Sequence, residues 1–260
     1  MSKSLLEILF ENFLPNTFKI LADEKKHWKK FNSKLKKKAA EAQVGSITEA
    51  SLPILLNRAY LGDSTAKNFL KFIDTEVFHL SKLIPPSIED QFKVIVRTLS
   101  KEFDIYTQSN PNPAYLNWLA EVLALKKFLE SGRFQLLGLE KKLTNGKSVD
   151  FHLLSDQKSL LVEVMSIHIP KRKIQNPTTV KRHIKNKLDE KISVKFDGLK
   201  DLSSVYILPV LFFENEDHKT LVESLGIFEK YKELVIAPAS LMKEPANGNY
   251  IFGSIESLKN

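Results

Sequence analysis

The residues best suited to chemistry lie between Ser148 and Ser166, in the run S-V-D-F-H-L-L-S-D-Q-K-S-L-L-V-E-V-M-S. Asp150 sits in a stretch where Val149, Phe151 and Leu153 alternate with Asp150, His152 and Leu154, the period of a half-buried strand. Glu163 interrupts an otherwise apolar run, Leu160 to Val164, that reads as a central strand buried on both faces. A carboxylate in such a strand is costly unless paired, hydrogen-bonded or bound to metal. Ser155-Asp156-Gln157-Lys158-Ser159 forms the turn between the two strands. The hairpin can therefore bring Asp150 and Glu163 together near neighbouring strand ends. Two carboxylates sharing a site suit a hard divalent cation.

The elements around this pair follow from pattern. A helix is expected from Ala114 to Ser131, stopped by Gly132, with Leu116, Leu119, Val122, Leu123 and Phe128 on its apolar face, Leu125 off phase and Glu121 beside the face. A strand from Phe134 to Lys142 and the turn signal Asn145-Gly146 lead into the Asp150 strand. After Met165, Pro170 and Pro177 confine a connection to a helix over 178–196. Its residues Val180, Ile184, Leu188 and Ile192, four apart, form a buried ridge. Further strands are expected at Leu202–Phe213 (with Pro209 marking an end or bulge), Leu234–Ala237 and Tyr250–Phe252, and a helix at Lys219–Tyr231. The fold class is α/β: a mixed sheet flanked by helices.

Helix with Glu, strand with Asp, hairpin, then strand with Glu resembles the PD-(D/E)XK nuclease superfamily, the restriction-endonuclease-like fold, over roughly residues 113–252. By that resemblance Asp150 and Glu163 are metal ligands, joined by Glu121 and the Val164 carbonyl. The family's lysine position holds Met165 here. Some members supply the lysine from a neighbouring helix, which points to Lys191, bordering the ridge one turn beyond Leu188, with Lys187 behind it. The resemblance implies Mg²⁺ or Mn²⁺ as cofactor and hydrolysis of phosphodiester bonds in DNA or RNA. The catalytic set would be Asp150, Glu163 and Lys191. Met165 directly favours a second reading, a catalytically inactive nuclease-fold module that binds nucleic acid or protein.

The chain of 260 residues carries a formal charge of +8 and a pI of about 9.3, which favours an anionic partner such as nucleic acid. Its basic residues are concentrated in two places. Lys25 to Lys38 holds eight lysines and no acid. Here Lys25, Lys26, Lys29 and Lys30 could follow a phosphate backbone while Trp28 and Phe31 stack on bases. The competing reading is a solvated helix whose stripe Trp28, Phe31 and Leu35 packs inward. Between Lys171 and Lys195 there are nine Lys or Arg and two acids. Lys171, Arg172, Lys173, Lys181, Arg182 and Lys185 are the candidates for phosphate contact there, against the competing reading of a solvated basic face.

The first 110 residues read as an all-α region and 111–260 as the α/β domain, with the linker Gln108-Ser-Asn-Pro-Asn-Pro113 between them. Helices are expected over residues 4–40 with a break at Pro15, at Ile47–Tyr60, at Ser64–Leu83 (Ser64 as cap, a break near Asp74), and from Ser87 to about Phe103. Leu5, Ile8, Leu9 and Phe13 would be the inward face of the first. With no cysteine, disulfides, thiolate–zinc sites and cysteine nucleophiles are excluded. No apolar run approaches the roughly 18 residues of a bilayer span, and Glu7 and Glu11 interrupt a signal-peptide core. The expected setting is cytoplasmic and free of membrane, with room for a homodimer. Phosphate-cradling glycine loops, H-E-x-x-H and the G-x-S-x-G nucleophile turn are absent.

Overall fold

The structure is a computed structural model; it describes residues 3–21, 28–29, 33, 52–101, 114–169, 174–213, 215–236, 238–243 and 250–254. The chain divides into two compact units, residues 1–122 with 245–249, and residues 123–244 with 250–260. The linker expected at Gln108–Pro113 lies outside the described residues.

The first unit is helical. Its elements are α1 (Leu5–Phe13), α2 (Pro15–Leu21), α3 (Leu52–Tyr60), α4 (Ser64–Leu83), a 3₁₀ turn (Pro86–Ile88) and α5 (Glu89–Lys101). In α1, Ser4 and Glu7 satisfy each other's backbone amides in a capping box. Its inward face is Leu6, Leu9 and Phe10, with Leu5 and Ile8 exposed. The expected face was therefore one residue out of phase. Pro15 does separate two helices, because it can start a helix but cannot sit within one. In α4 the cap is Asp63, which accepts from the Ala66 amide, and Ser64 is the first helical residue. The helix runs unbroken through Asp74. Asp74 is buried and faces α2, so the polar residue is part of the inward face instead of a breaker. Before α5 the 3₁₀ turn takes up Ser87, and the helix begins at Glu89. Phe92, Ile95, Val96 and Leu99 of α5 are all buried, as the period required.

The boundary between units falls within α6 (Ala114–Glu130). This helix is buried almost all round, including the off-phase Leu125, so its apolar pattern is broad and no single stripe stands out.

The second unit is built on a six-stranded mixed sheet in the order β1 (Gln135–Lys142), β2 (Ser148–Ser155), β3 (Lys158–His168), β4 (Val205–Phe213), β5 (Ala239–Lys243), β6 (Tyr250–Ser254). The first three strands form an antiparallel meander, β4 and β5 run parallel to β3, and β6 turns back. The turn between β2 and β3 needs only Asp156 and Gln157, both at positive φ (48° and 63°). That conformation matches the twist of a two-residue hairpin. Between β3 and β4 the chain crosses over through α7 (Pro177–Phe196), whose Val180, Ile184 and Leu188 are fully buried against Met165, Ile167, Val205, Ile207 and Leu211.

Pro209 lies inside β4, paired with Met165, and does not end the strand. On the other side of β4 the pairing steps from Val235 opposite Ile207 to Ala239 opposite Val210. Pro209, with no N–H to donate, falls in that interval. The expected helix over 219–231 is in fact α8 (Glu216–Ser224) and a separate 3₁₀ turn (Phe228–Tyr231). Gly226, at φ 53°, breaks them apart. Of the strand expected at Leu234–Ala237, the described residues 234–236 contribute a single bridge, Val235 opposite Ile207, and Ala237 lies outside the described residues. Among the described residues no helix is long and apolar enough to cross a membrane.

Candidate functional site

The β2–β3 hairpin positions the two carboxylates. Its ladder runs from Ser155 opposite Lys158 up to Phe151 opposite Val162 and stops there. Asp150 and Glu163 are the next residues along. Instead of a backbone carbonyl, the Val164 amide finds the Asp150 carboxylate, donating to Oδ2 at 2.6 Å. Asp150 thus replaces a rung of the ladder and opens β2 from β3 at that level. Glu163 is held in the middle of the sheet opposite Ile207 of β4, and only 2% of its surface is exposed.

Two lysines reach this pair from α7. Pro177 at the first position and Asn176, whose side chain accepts from the Thr179 amide, start the helix. The Val180–Ile184–Leu188 ridge then fixes its rotation, which turns Lys191 and Lys195 toward the sheet. Both ammoniums bind Glu163 Oε1: Lys191 in a close ion pair, and Lys195 at 2.9 Å. Lys195 also donates to the Ser148 carbonyl at 2.8 Å. The other oxygen, Glu163 Oε2, is buried with no hydrogen-bond partner among the described residues. A bare carboxylate oxygen in a buried site is costly and calls for a partner.

The electrostatics follow from this packing. Burial pushes the Asp150 carboxyl up to about 7, helped by the charge on Glu163 and weakly by Glu140; the Val164 amide and Lys191 act in the opposite direction. At neutral pH Asp150 therefore exchanges a proton readily, which a general base or a metal ligand must do.

Of the residues singled out from sequence, the structure brings Asp150, Glu163, Val164 and Lys191 together. Lys187 does not join them: it is exposed and pairs with Glu190 at 3.2 Å. Glu121 is half-buried in the part of α6 that belongs to the first unit. Met165 is packed in the apolar cluster with Val180, Ile184 and Leu188, two residues along the strand from Glu163. A side chain there meets hydrocarbon, and the ammoniums come instead from the helix lying over it. Lys195 escaped the sequence reading. Its signal was present, since it follows Lys191 by one helical turn on the row beside the ridge. That the helix end lies against the start of β2 could be seen only in the fold.

Among the basic candidates, Lys181, Arg182 and Lys185 are exposed on α7, and Lys29 is exposed. Lys25, Lys26, Lys30, Lys171, Arg172 and Lys173 lie outside the described residues. Trp28 is buried, packed edge-on to Phe10 at 5.1 Å and against Phe18, with its indole N–H on the Leu21 carbonyl. It is a core residue and presents no stacking face. Phe31 and Leu35 lie outside the described residues.

A divalent cation at this site would need hard oxygen donors. Hard carboxylate oxygens and one unpartnered oxygen fit such an ion. Among the described residues no three His, Cys, Asp or Glu side chains converge on one point. The anionic charge available to a cation is thus that of two carboxylates, with two ammoniums beside them.

No family model matches the chain. No curated protein matches it. Among solved structures the chain is similar to SfsA of Pyrococcus furiosus in complex with Ca²⁺, at 13% identity and a TM-score of 0.27; the match covers 54% of this chain and 63% of SfsA, less than two thirds of that protein.

Proposed function

We propose that the second unit is a metal-dependent nuclease that hydrolyses phosphodiester bonds of DNA or RNA. The observation that carries this reading is Glu163, whose Oε1 sits between two ammoniums while Oε2 is buried with no hydrogen-bond partner among the described residues. Asp150, Glu163 and the Val164 carbonyl would hold Mg²⁺ or Mn²⁺. When bound, such an ion would supply Lewis acidity toward the scissile phosphate. Asp150, whose carboxyl is raised to about 7, would release its proton to solvent on taking up the cation. Lys191 exchanges part of its contact with Glu163 for a phosphate oxygen, where an ammonium stabilises charge that grows in the transition state. Lys181, Arg182 and Lys185 on the outer face of α7, and Lys25, Lys26, Lys29, Lys30, Lys171, Arg172 and Lys173 elsewhere, would follow the flanking phosphates.

A second reading is a non-catalytic nucleic-acid- or protein-binding module. One observation favours it: Glu163 already has two ammoniums to balance its charge, as in a structural ion-pair cluster.

Calorimetric titration of Mn²⁺ into the full chain and into Asp150→Ala, run beside a plasmid-nicking assay, separates the two. The nuclease reading expects metal binding and metal-dependent nicking, both lost in the variant. Absence of binding in both proteins removes it and leaves the binding module.

A further inference from the structure

The two lysines on Glu163 are not equivalent. Lys191 has Glu163 as its partner among the described residues, whereas Lys195 is held at both ends. Its ammonium spans Glu163 on β3 and the Ser148 carbonyl at the start of β2. Its backbone carbonyl, and that of Asp197, both accept from Asn145 Nδ2 at 2.9 Å. Asn145 belongs to the β1–β2 turn, where its own Oδ1 takes the Lys147 amide and Gly146 adopts φ 80°. The turn therefore fastens the last carbonyls of α7, which otherwise lack partners.

The strand pairing says what this linkage does. β2 stays paired with β1 down to Ser148 opposite Lys142, but its ladder to β3 ends at Phe151. Over residues 148–150 the backbone of β2 is therefore tied on one side only. The Lys195 ammonium crosses the opened gap to β3 at this level, two residues from Asp150. We propose that Lys195 is a positioning residue: clamped by Asn145 and bridging Ser148 to Glu163, it sets the gap in which Asp150 holds the Val164 amide, and leaves Lys191 as the ammonium that moves. The movement of Lys191 to phosphate rests on the nuclease reading; the strut does not.

Native-state hydrogen exchange of the Val164 amide reads the strut without metal or substrate. In Lys195→Met the amide should exchange at least about tenfold faster, as expected when a supporting contact behind a site is removed, while amides of β5 keep their rates. Lys191→Met should leave Val164 as protected as in the wild type. Lys195→Arg, which can still donate to two oxygens, should restore the protection. Should Lys195→Met not fold, Asn145→Ala carries the same expectation with the ammonium intact. Equal protection of Val164 in the wild type and in whichever of these variants folds, or equal loss in Lys191→Met, overturns the proposal. Mn²⁺ calorimetry on the same proteins is the second arm: a wild type that binds no metal sinks the nuclease reading, and the exchange contrast still decides the strut.

Discussion

Among the described residues each unit buries one carboxylate almost completely, and the two are treated in opposite ways. Asp74 of the helical unit is 4% exposed and Glu163 of the α/β unit 2%. Asp74 receives four donors: the Asn16 amide and Asn16 Nδ2 on one oxygen, the Thr17 amide and Thr17 hydroxyl on the other. These are the first residues of α2, so a carboxylate from α4 supplies the cap that α2 lacks in its own sequence and meets the positive end of its dipole. Every lone-pair direction that matters is used. Glu163 instead concentrates two ammoniums on one oxygen and leaves the other with no hydrogen-bond partner among the described residues. A carboxylate whose oxygens are all satisfied locks two helices together and has no capacity left for a ligand. One that is unevenly satisfied carries stored cost that a bound cation or a protonated neighbour relieves. The contrast separates an acid whose oxygens are all used within the fold from one with an oxygen left for a ligand, without reference to the sequence around either.

The largest expected effect tests the structural side. Asp74→Ala strands two α2 amides and the fully buried Thr17 hydroxyl, and at about 1–3 kcal/mol for each buried group left unsatisfied the loss should reach about 4 kcal/mol. Urea titration should show a lower midpoint with unchanged slope, and metal affinity per folded molecule should stay at the wild-type value. A loss below about 1 kcal/mol would mean that Asp74 is no more than a surface-like contact, and the contrast with Glu163 would fall.

The next effect tests the chemical side through pH. The Asp150 carboxyl is raised from 3.8 to about 7 in the folded protein. Between those values the folded state holds a proton that the unfolded state has released. Stability from this group is therefore complete below about pH 4 and is lost as pH rises through about 7. Solvent reaches part of the residue, so the loss should amount to about 2 kcal/mol rather than the full shift converted at 1.36 kcal/mol per unit. In Asp150→Asn, where the amide oxygen can still accept from Val164, that decline between pH 4 and 8 should vanish. A wild type and variant with parallel pH profiles would show that Asp150 does not carry the proton.

What the sequence made legible, and what it hid, divides along the range of the interactions. The β2–turn–β3 hairpin, the ridge of α7 and the acidic pair are set by patterns within about twenty residues, and Lys191 could be picked from its place beside the ridge. The cap at Asp63 in place of Ser64 differs by one residue, because both types can accept an amide. Asp74 was misread as a break because its partners, Asn16 and Thr17, lie far back in the chain. Lys195 was missed for the same reason: Asn145 and Ser148 are about fifty residues away from it, and no local period connects them. Trp28 had an inward alternative at helical spacing, and its ring contacts with Phe10 and Phe18 decide for it.

The smallest effect separates the two rows of cations on one helix. Lys191 and Lys195 face the sheet and are partly buried, whereas Lys181, Arg182 and Lys185 stand in solvent two to four turns earlier. Exposed ammoniums contribute about 0–1 kcal/mol to folding, so Lys185→Ala should leave the denaturation midpoint unchanged. If the outer row follows phosphates, each contact releases a condensed counterion on binding. Removing one should then lower the slope of log K against log salt by about 0.7–0.9, equally for any oligonucleotide sequence. The inner row should behave differently in the same assay, because its two ammoniums are partly balanced by Glu163 and, being partly buried, are screened less by salt. Lys191→Ala should lower cleavage while moving the salt slope much less than Lys185→Ala does. Equal slopes for the two variants would mean that α7 presents a single undifferentiated basic surface, and the distinction between a gripping face and a reacting face would be lost.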